Sequence, residues 1–228
     1  MMFPRGLRSL ALLIREDWET NSRDWTQPGF RALAAHRFGT WVRNLGKGPL
    51  RTVLSRLHIV AFRYIRNHYS VELPATAKVG RRVVIAHQGG IVINGSTVIG
   101  DECLIRQNVT IGARNDYTVD EAPTLCRGVQ VGCGAVILGR ITVGEAARIG
   151  PNAVVTADVP AGATVIVERP RVLLSMTAGA AELLDKYGLS PADLPPSAAR
   201  LRTADVQAFV DGRRLAAVRS GGQHLRGN

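Results

Sequence analysis

Aliphatic residues recur at every sixth position through the middle of this 228-residue chain. The anchors fall in three successive registers: Val79, Ile85 and Ile91, then Ile93, Ile99, Ile105 and Ile111, and finally Leu125, Val131, Ile137, Val143, Ile149 and Val155. A period of six matches neither the helical repeat of about 3.6 residues nor the simple alternation of a strand. It is typical of a parallel β-helix, in which three hexapeptides form one triangular coil and the anchors of successive coils stack inside.

A second set of inward positions supports the same interpretation. Small or β-branched residues follow most anchors by four positions: Thr97, Cys103, Val109, Val129, Ala135, Ile141, Ala147 and Ala153. The segment between Ile111 and Leu125, GARNDYTVDEAPT, is polar and breaks the repeat. We therefore expect a β-helix over residues 71–172, with a loop at residues 112–124 that leaves the prism.

Helical periodicity flanks the repeat on both sides, which predicts a helical segment over residues 1–70 and a helical extension over 173–228. Residues 29–45 and 49–68 carry apolar residues at helical spacing. The stripe of the second segment is Leu50, Val53, Leu54, Leu57, Ala61, Tyr64 and Ile65. After the repeat, residues 177–187 and 203–217 are predicted to be helical, with Gly188 ending the first helix and Thr203 as N-cap of the second.

Composition restricts the compartment and the chemistry. The apolar run LALLI near the start is too short for a signal peptide, and we expect a cytoplasmic protein without a membrane span. The three cysteines, Cys103, Cys126 and Cys133, form no CxxC pair and have no histidine nearby in the sequence. We expect reduced thiols and no metal site.

Positive charge is concentrated at the N-terminal end. Of the net charge of +11, residues 1–70 carry +8, from twelve Lys and Arg against four Asp and Glu. Nucleic acid, an anionic membrane, an anionic polymer or an acidic ligand would each fit this charge, and so would a solvated helical surface. Aromatic residues are not interleaved as a nucleic-acid surface requires, so we expect no nucleic-acid partner but allow peripheral membrane association.

One histidine, His87, interrupts the repeat in the stretch VVIAHQGGIVING and is the only histidine between Tyr69 and Gln223. A neutral imidazole can accept a proton near cytoplasmic pH, which makes His87 a candidate general base. The alternative is a histidine that merely occupies a coil corner, and the residues alone leave both possibilities open. Zinc-dependent carbonic anhydrases that share the β-helix use three histidine ligands, and this repeat has one.

Residues 14–172 resemble the hexapeptide-repeat acetyltransferases, within them the serine acetyltransferases and the exopolysaccharide acetyltransferases of the colanic acid type. The resemblance rests on REDW, VELPATAKVGRRVVIAHQGGIVING, IRQNVTIGARN and GVQVGCGAVILGRITVGEAARIGPNAVV. It implies a left-handed β-helix, an acetyl-CoA-dependent O-acetyltransferase and a homotrimer with acetyl-CoA between subunits. It also implies that His87 is the general base and that Glu72 orients its ring.

The same resemblance implies further contacts. Positions expected near acetyl-CoA are Gly112, Ala113, Gly134, Ala135, Ala153, Arg169 and Arg171, whereas those expected near the acceptor are Asp17 and Asn94. Glu16 is an alternative to Asp17 as the acidic residue of the N-terminal helix. Val167 replaces the glycine that precedes the C-terminal arginine of the family.

Two departures bear on the acceptor. In serine acetyltransferases an acidic residue precedes the catalytic histidine and an Arg-His pair lies in the extruded loop, whereas this chain has Ala86, Glu121 and Ala122. Burying a charged amine or carboxylate without a partner is costly. We therefore expect a sugar hydroxyl in polysaccharide biosynthesis as the acceptor, with serine as the alternative and a non-catalytic β-helix scaffold as a third possibility.

Overall fold

Three parallel β-sheets form the sides of a triangular prism that begins at Val71. The computed structural model describes residues 6–87, 89–115, 121–167, 176–194 and 201–221. The chain divides into two compact units, residues 1–168 and 169–228.

The first unit begins with three helices, α1 (Leu7–Thr20), α2 (Pro28–Arg43) and α3 (Pro49–Tyr69). The described strands follow: β1 (Val71–Glu72), β2 (Lys78–Val79), β3 (Val84–Ile85), β4 (Ile91–Ile93), β5 (Val98–Ile99), β6 (Leu104–Ile105), β7 (Thr110–Gly112), β8 (Thr124–Leu125), β9 (Gln130–Val131), β10 (Val136–Leu138), β11 (Thr142–Val143), β12 (Arg148–Ile149), β13 (Val154–Val155) and β14 (Thr164–Val165).

Successive strands lie in different sheets because the chain turns a corner after every few residues. Sheet A contains β1, β4, β7, β10 and β13, sheet B contains β2, β5, β8 and β11, and sheet C contains β3, β6, β9, β12 and β14. Every pairing is parallel and joins one coil to the next. The predicted left-handed parallel β-helix with helices before and after it is confirmed.

The interior of the prism consists of the predicted anchors. Each aliphatic anchor from Val79 to Val155 is buried, and so is each of the small or β-branched residues that follow four positions later. The cysteines are unpaired, and Cys103 is fully buried. Burial raises the pKa of the Cys103 thiol to about 11, which keeps it protonated inside the stack.

The open N-terminal end of the prism is covered by α1 and α2. An uncovered first coil would leave a row of backbone groups without partners. Arg37 of α2 donates to the carbonyls of Val79 and Gly80, and its Nε lies 2.8 Å from Oδ2 of Asp17 on α1. Both charged side chains are almost fully buried. Burial raises the pKa of the Asp17 carboxyl, and the hydrogen bonds and charge of Arg37 oppose that shift.

Two further side chains complete this cover. Asn21 donates to the carbonyl of Val83 at 3.1 Å and accepts a hydrogen bond from the backbone N–H of Ile85 at 3.4 Å. The Nδ1 of His36 donates to the carbonyl of Pro74 at 3.1 Å. Burial lowers the pKa of His36 to about 3, so the ring is neutral near physiological pH. The helices thus satisfy the edge of the first coil in place of another strand.

The apolar stripe predicted along α3 lies mostly outside the core. Ile65 is the buried residue of this helix, whereas several of the others are exposed: Leu50, Val53, Leu57 and Tyr64. The helix packs closely on α2, where Gly39 faces the ring of His58, since a Cβ at Gly39 would lie 2.2 Å from His58 Nε2. No helix within the described ranges is both long enough and apolar enough to cross a bilayer.

The second unit has a small core of its own. It contains α4 (Ala178–Lys186), a 3₁₀ turn (Pro191–Asp193) and α5 (Thr203–Gly221). Ala180, Leu184, Leu201 and Val206 pack together between the two helices. Both predicted helices are present, but Thr203 is the first helical residue rather than the N-cap, because the carboxylate of Asp205 accepts from the N–H of Arg202.

We predict that the buried ion pair at the first coil is essential to stability. Replacing Arg37 by Met leaves Asp17 buried without a partner and should lower the free energy of unfolding by about 3–5 kcal/mol. The control is Arg15→Met, which removes an exposed pair with Glu19 and should cost less than about 1 kcal/mol. Urea unfolding of both variants measures the difference, and equal losses would show that Arg37 is not needed to cap the prism.

Candidate active site

His87 lies in a bulge at the corner where the chain passes from sheet C to sheet A. Ile85 pairs with Ile105 and Ile93 pairs with Ile111. Eight positions therefore separate Ile85 from Ile93, whereas six separate their partners in the next coil. The two extra residues cannot fit into the stack, so the chain bulges outward. His87 is exposed and has a positive φ of 65°, which is uncommon for a residue other than glycine.

At the corner of the bulge, the equivalent residues of successive coils form a column in which glycine and asparagine alternate. Gly90, Asn108, Gly134 and Asn152 occupy equivalent corner positions and all have positive φ. A Cβ on Gly90 would lie 2.4 Å from Asn108 Oδ1, and one on Gly134 would lie 2.1 Å from Asn152 Oδ1. Each asparagine side chain thus fills the space that a side chain on the preceding glycine would need. This packing explains the glycine at 134 without a ligand.

Glu72, the predicted partner of His87, lies on β1 at the start of sheet A. It pairs with Val92 of β4, the strand that follows the bulge, and is half-buried. Among the described residues, no hydrogen bond or ion pair joins the Glu72 carboxylate to the His87 ring. The two side chains belong to neighbouring coils, which are about 4.8 Å apart.

An arginine that the sequence analysis did not identify lies next to the bulge. The N–H of Ala86 donates to the carbonyl of Ile105 at 2.9 Å, so Ala86 is level with Arg106 in the next coil. Arg106 is exposed and has no hydrogen-bonding or ionic partner in the described part of the chain. An acidic residue at position 86 would lie one strand spacing from this guanidinium and could pair with it. The alanine leaves the cation available, and only the strand register reveals this.

A second arginine near this corner is already engaged. Arg31 of α2 lies over the rings of Trp25 and Tyr69, donates to the Trp25 carbonyl and bonds the Tyr69 hydroxyl. Tyr69 directly precedes the first residue of the corner column, Ser70, which accepts a hydrogen bond from Ile91. Arg31 therefore has a structural role next to the bulge, whereas the guanidinium N–H groups of Arg106 have no partner among the described residues.

Asn94 and Gly112 lie together at the far end of sheet A from His87. The Asn94 side chain accepts a hydrogen bond from the backbone N–H of Ser96 at 2.8 Å and so shapes its own turn. A Cβ on Gly112 would lie 3.6 Å from Asn94 Cβ, so these two neighbouring coils touch. The side chain of Arg114, the residue after Ala113, donates a hydrogen bond to the carbonyl of Thr156.

Asp17 and Glu16, the predicted acidic contacts to the acceptor, are both engaged elsewhere. Asp17 is fully buried against Arg37, a placement that does not support direct contact with an acceptor. Glu16 binds Arg81, with Oε2 2.8 Å from Nε, and also contacts Arg82. The hydrogen bond from Arg81 lowers the pKa of the Glu16 carboxyl. These acids therefore connect α1 to the prism.

The positions predicted near acetyl-CoA differ in accessibility. Ala135 and Ala153 are buried inside the prism, so only their backbone could contact a ligand. Gly112 is also buried, while Ala113 is half-buried, and residues 116–120 of the predicted loop lie outside the described residues. Arg169 and Arg171 lie outside the described residues. Within the described ranges, no three His, Cys, Asp or Glu side chains are grouped as a metal site would require.

Known sequences similar to this chain include several serine acetyltransferases. The serine acetyltransferase of Helicobacter pylori strain J99 is 36% identical over 169 residues, which cover 72% of this chain and 94% of that protein. The Synechococcus elongatus enzyme is 38% identical over 146 residues, but those cover only 57% of its length. For the Salmonella typhimurium enzyme the covered share is 46%. The chain thus spans about half the length of several relatives. No family model matches it.

Solved structures agree with the sequences. Serine acetyltransferase from Vibrio cholerae has a TM-score of 0.60 at 28% identity, covering 72% of this chain and 68% of that chain. The soybean apoenzyme has the same TM-score and identity, covering 73% of this chain and 69% of its own. An Entamoeba histolytica isoform at 21% identity shares the fold, again with a TM-score of 0.60, and covers 73% of this chain and 61% of that chain.

These relatives correct the prediction of the acceptor. The altered residues Ala86, Glu121 and Ala122 favoured a sugar hydroxyl, but the relatives in sequence and in structure are named serine acetyltransferases. The saccharide prediction is therefore wrong, and the alternative fits better. Its physical premise was that the lost charges have no substitute, yet for the lost Arg-His pair Arg106 offers a cation from the next coil. With a relative matched over 94% of its length at 36% identity, this chain belongs to the serine acetyltransferase family.

Proposed function

We propose that this protein is a serine O-acetyltransferase that uses acetyl-CoA and employs His87 as its general base. The observation that carries the proposal is the bulge, which holds an exposed imidazole at a prism corner in a member of this family. A soybean relative at 28% identity has been solved in complex with serine. Serine is therefore the acceptor we assign.

The reaction follows from the chemistry of the groups. The imidazole of His87 accepts the proton of the serine hydroxyl while the serine oxygen attacks the thioester carbonyl of acetyl-CoA. The resulting tetrahedral intermediate collapses and breaks the carbon–sulfur bond. The imidazolium returns its proton to the leaving sulfur, so the products are O-acetylserine and free CoA.

Glu72 is the residue we assign to support the imidazolium. Its carboxylate is half-buried on β1, one coil from the bulge. A carboxylate near a charged imidazole stabilises the positive charge that develops during proton transfer. One ring nitrogen of His87 must face the substrate hydroxyl. The group that holds the ring in this orientation therefore has to contact the other nitrogen.

We assign Arg106 to the carboxylate of serine. It is exposed, level with Ala86 and without a described partner, so its donors remain available for a ligand. A guanidinium binds a carboxylate through paired hydrogen bonds of fixed geometry. This arrangement would compensate for Glu121 and Ala122, which stand where the family has an Arg-His pair.

The remaining parts of the proposal concern assembly. We propose a homotrimer that works in the cytoplasm, with acetyl-CoA bound along the prism between two subunits. The backbone at Ala113, Gly134 and Ala153 would face the pantetheine arm, and Arg169 or Arg171 the phosphates. Asn94, which lies at the far end of sheet A from His87 and accepts from Ser96, is not assigned to serine.

We predict that His87→Ala lowers kcat for L-serine by about 10²–10⁴-fold, the usual contribution of a positioned base. Acetyl-CoA affinity should be unchanged, because the imidazole does not bind the nucleotide. Glu72→Gln should lower kcat less, since it keeps an acceptor for the ring. Release of CoA thiol measures turnover, and calorimetry measures affinity. The control is His68→Ala, which removes another exposed histidine, on α3. Near-normal turnover by His87→Ala would overturn the proposal.

We predict that Arg106→Gln raises KM for L-serine by about ten- to a hundredfold, the value of one charge-assisted contact. Affinity for acetyl-CoA should stay within about twofold of the parent value, because this contact serves only the acceptor. The matched control is Arg148→Gln, an exposed arginine on another strand of sheet C. An unchanged KM would show that another group binds the serine carboxylate, while leaving the role of His87 intact.

A further inference from the structure

Helix α3 carries an apolar stripe that nothing in the described structure covers. This exposed stripe consists of five residues, each between 48% and 67% exposed, and it differs from the stripe predicted from the sequence by including Val60: Leu50, Val53, Leu57, Val60 and Tyr64. Their spacing of three, four, three and four residues places them on one face of the helix. An exposed row of this kind marks an interaction surface, since isolated apolar residues would not align.

The charge beside the stripe identifies its partner. Arg56 and Arg63 are seven residues apart, and each follows a stripe residue by three positions, so they lie along one edge. Both are exposed and make no hydrogen bond or ion pair within the described residues. The 21 residues of α3 include four arginines and no acidic residue. The partner must therefore be apolar along one line and anionic beside it.

A second copy of α3 does not meet this requirement. Pairing two such stripes would bring the arginine edges of both helices together with no Asp or Glu on either α3 to compensate. Paired helices normally place opposite charges beside the apolar seam. A bilayer containing anionic lipids supplies the correct chemistry, with acyl chains for the stripe and phosphates for the arginines.

We propose that α3 binds the surface of anionic membranes, lying parallel to the bilayer with its apolar stripe in the headgroup region. The helix is already held in place by α2 and by the buried Ile65, so binding requires no folding of the segment. The stripe spans about 21 Å along the helix axis, at about 1.5 Å per residue. Surface helices of this type bury their apolar face to a depth of about 5–10 Å.

The test is co-sedimentation of the full chain with lipid vesicles. Vesicles of phosphatidylcholine with about 30% phosphatidylglycerol should bind the protein, whereas vesicles of phosphatidylcholine alone should not. Binding should weaken as salt is raised from about 0.1 M to about 0.5 M, because the arginine contacts are screened. Equal binding to both vesicle types, or none to either, would overturn the proposal.

Matched variants locate the surface. Val60→Asp should weaken vesicle binding at least about tenfold. Val154→Asp makes the same change at a residue of sheet A that is also 67% exposed, and it should have no effect. Arg56→Glu with Arg63→Glu should weaken binding at least about thirtyfold. The control is Arg140→Glu with Arg148→Glu, which makes the same change of charge at two exposed arginines of the prism and should leave vesicle binding unchanged.

Two outcomes would contradict this account of α3. Undiminished vesicle binding by Val60→Asp would show that the stripe does not enter the membrane. A smaller sedimentation mass for Val60→Asp in the absence of lipid would show that the stripe joins copies of the chain instead. An unchanged far-ultraviolet circular dichroism spectrum verifies that each variant is folded. Because vesicle binding does not depend on turnover, failure here leaves the proposed serine acetylation untouched.

Discussion

The stack of aliphatic side chains inside the prism determines which residues reach its surface. Each coil must place an anchor directly against the anchor of the next coil, because a gap in a close-packed interior is costly. Residues inserted between two anchors must therefore bulge outward from the prism. The two additional residues between Ile85 and Ile93 bulge outward and carry His87.

The same stack creates a problem at its end, which the helices solve. The outer edge of the first coil has carbonyls that no further strand pairs with, and Arg37, Asn21 and His36 donate hydrogen bonds to carbonyls at this edge. Asp17 belongs to this structural set, since it compensates the buried charge of Arg37. The helical segment thus caps the prism with its inner face and leaves the stripe of α3 on its outer face.

Sequence was sufficient where the information is local and periodic. The six-residue repeat predicted the β-helix and its interior, and the lone histidine of the repeat identified His87 as a candidate base. It failed where the answer depends on register or on packing between distant segments. The level pairing of Ala86 with Arg106 appears only when coils are aligned, and helical spacing alone could not tell that the stripe of α3 faces outward. The acceptor was mispredicted because substituted residues were given more weight than the likeness of the whole domain.

Identification of the product tests the central claim most directly. The full chain should be incubated with L-serine and acetyl-CoA labelled with ¹³C in its acetyl group, and the products followed by NMR and mass spectrometry. A bulge that presents His87 to the serine hydroxyl predicts a labelled ester on the serine side-chain oxygen, formed together with an equal amount of free CoA. Protein that binds acetyl-CoA but leaves L-serine unlabelled would contradict the assignment of both the base and the acceptor.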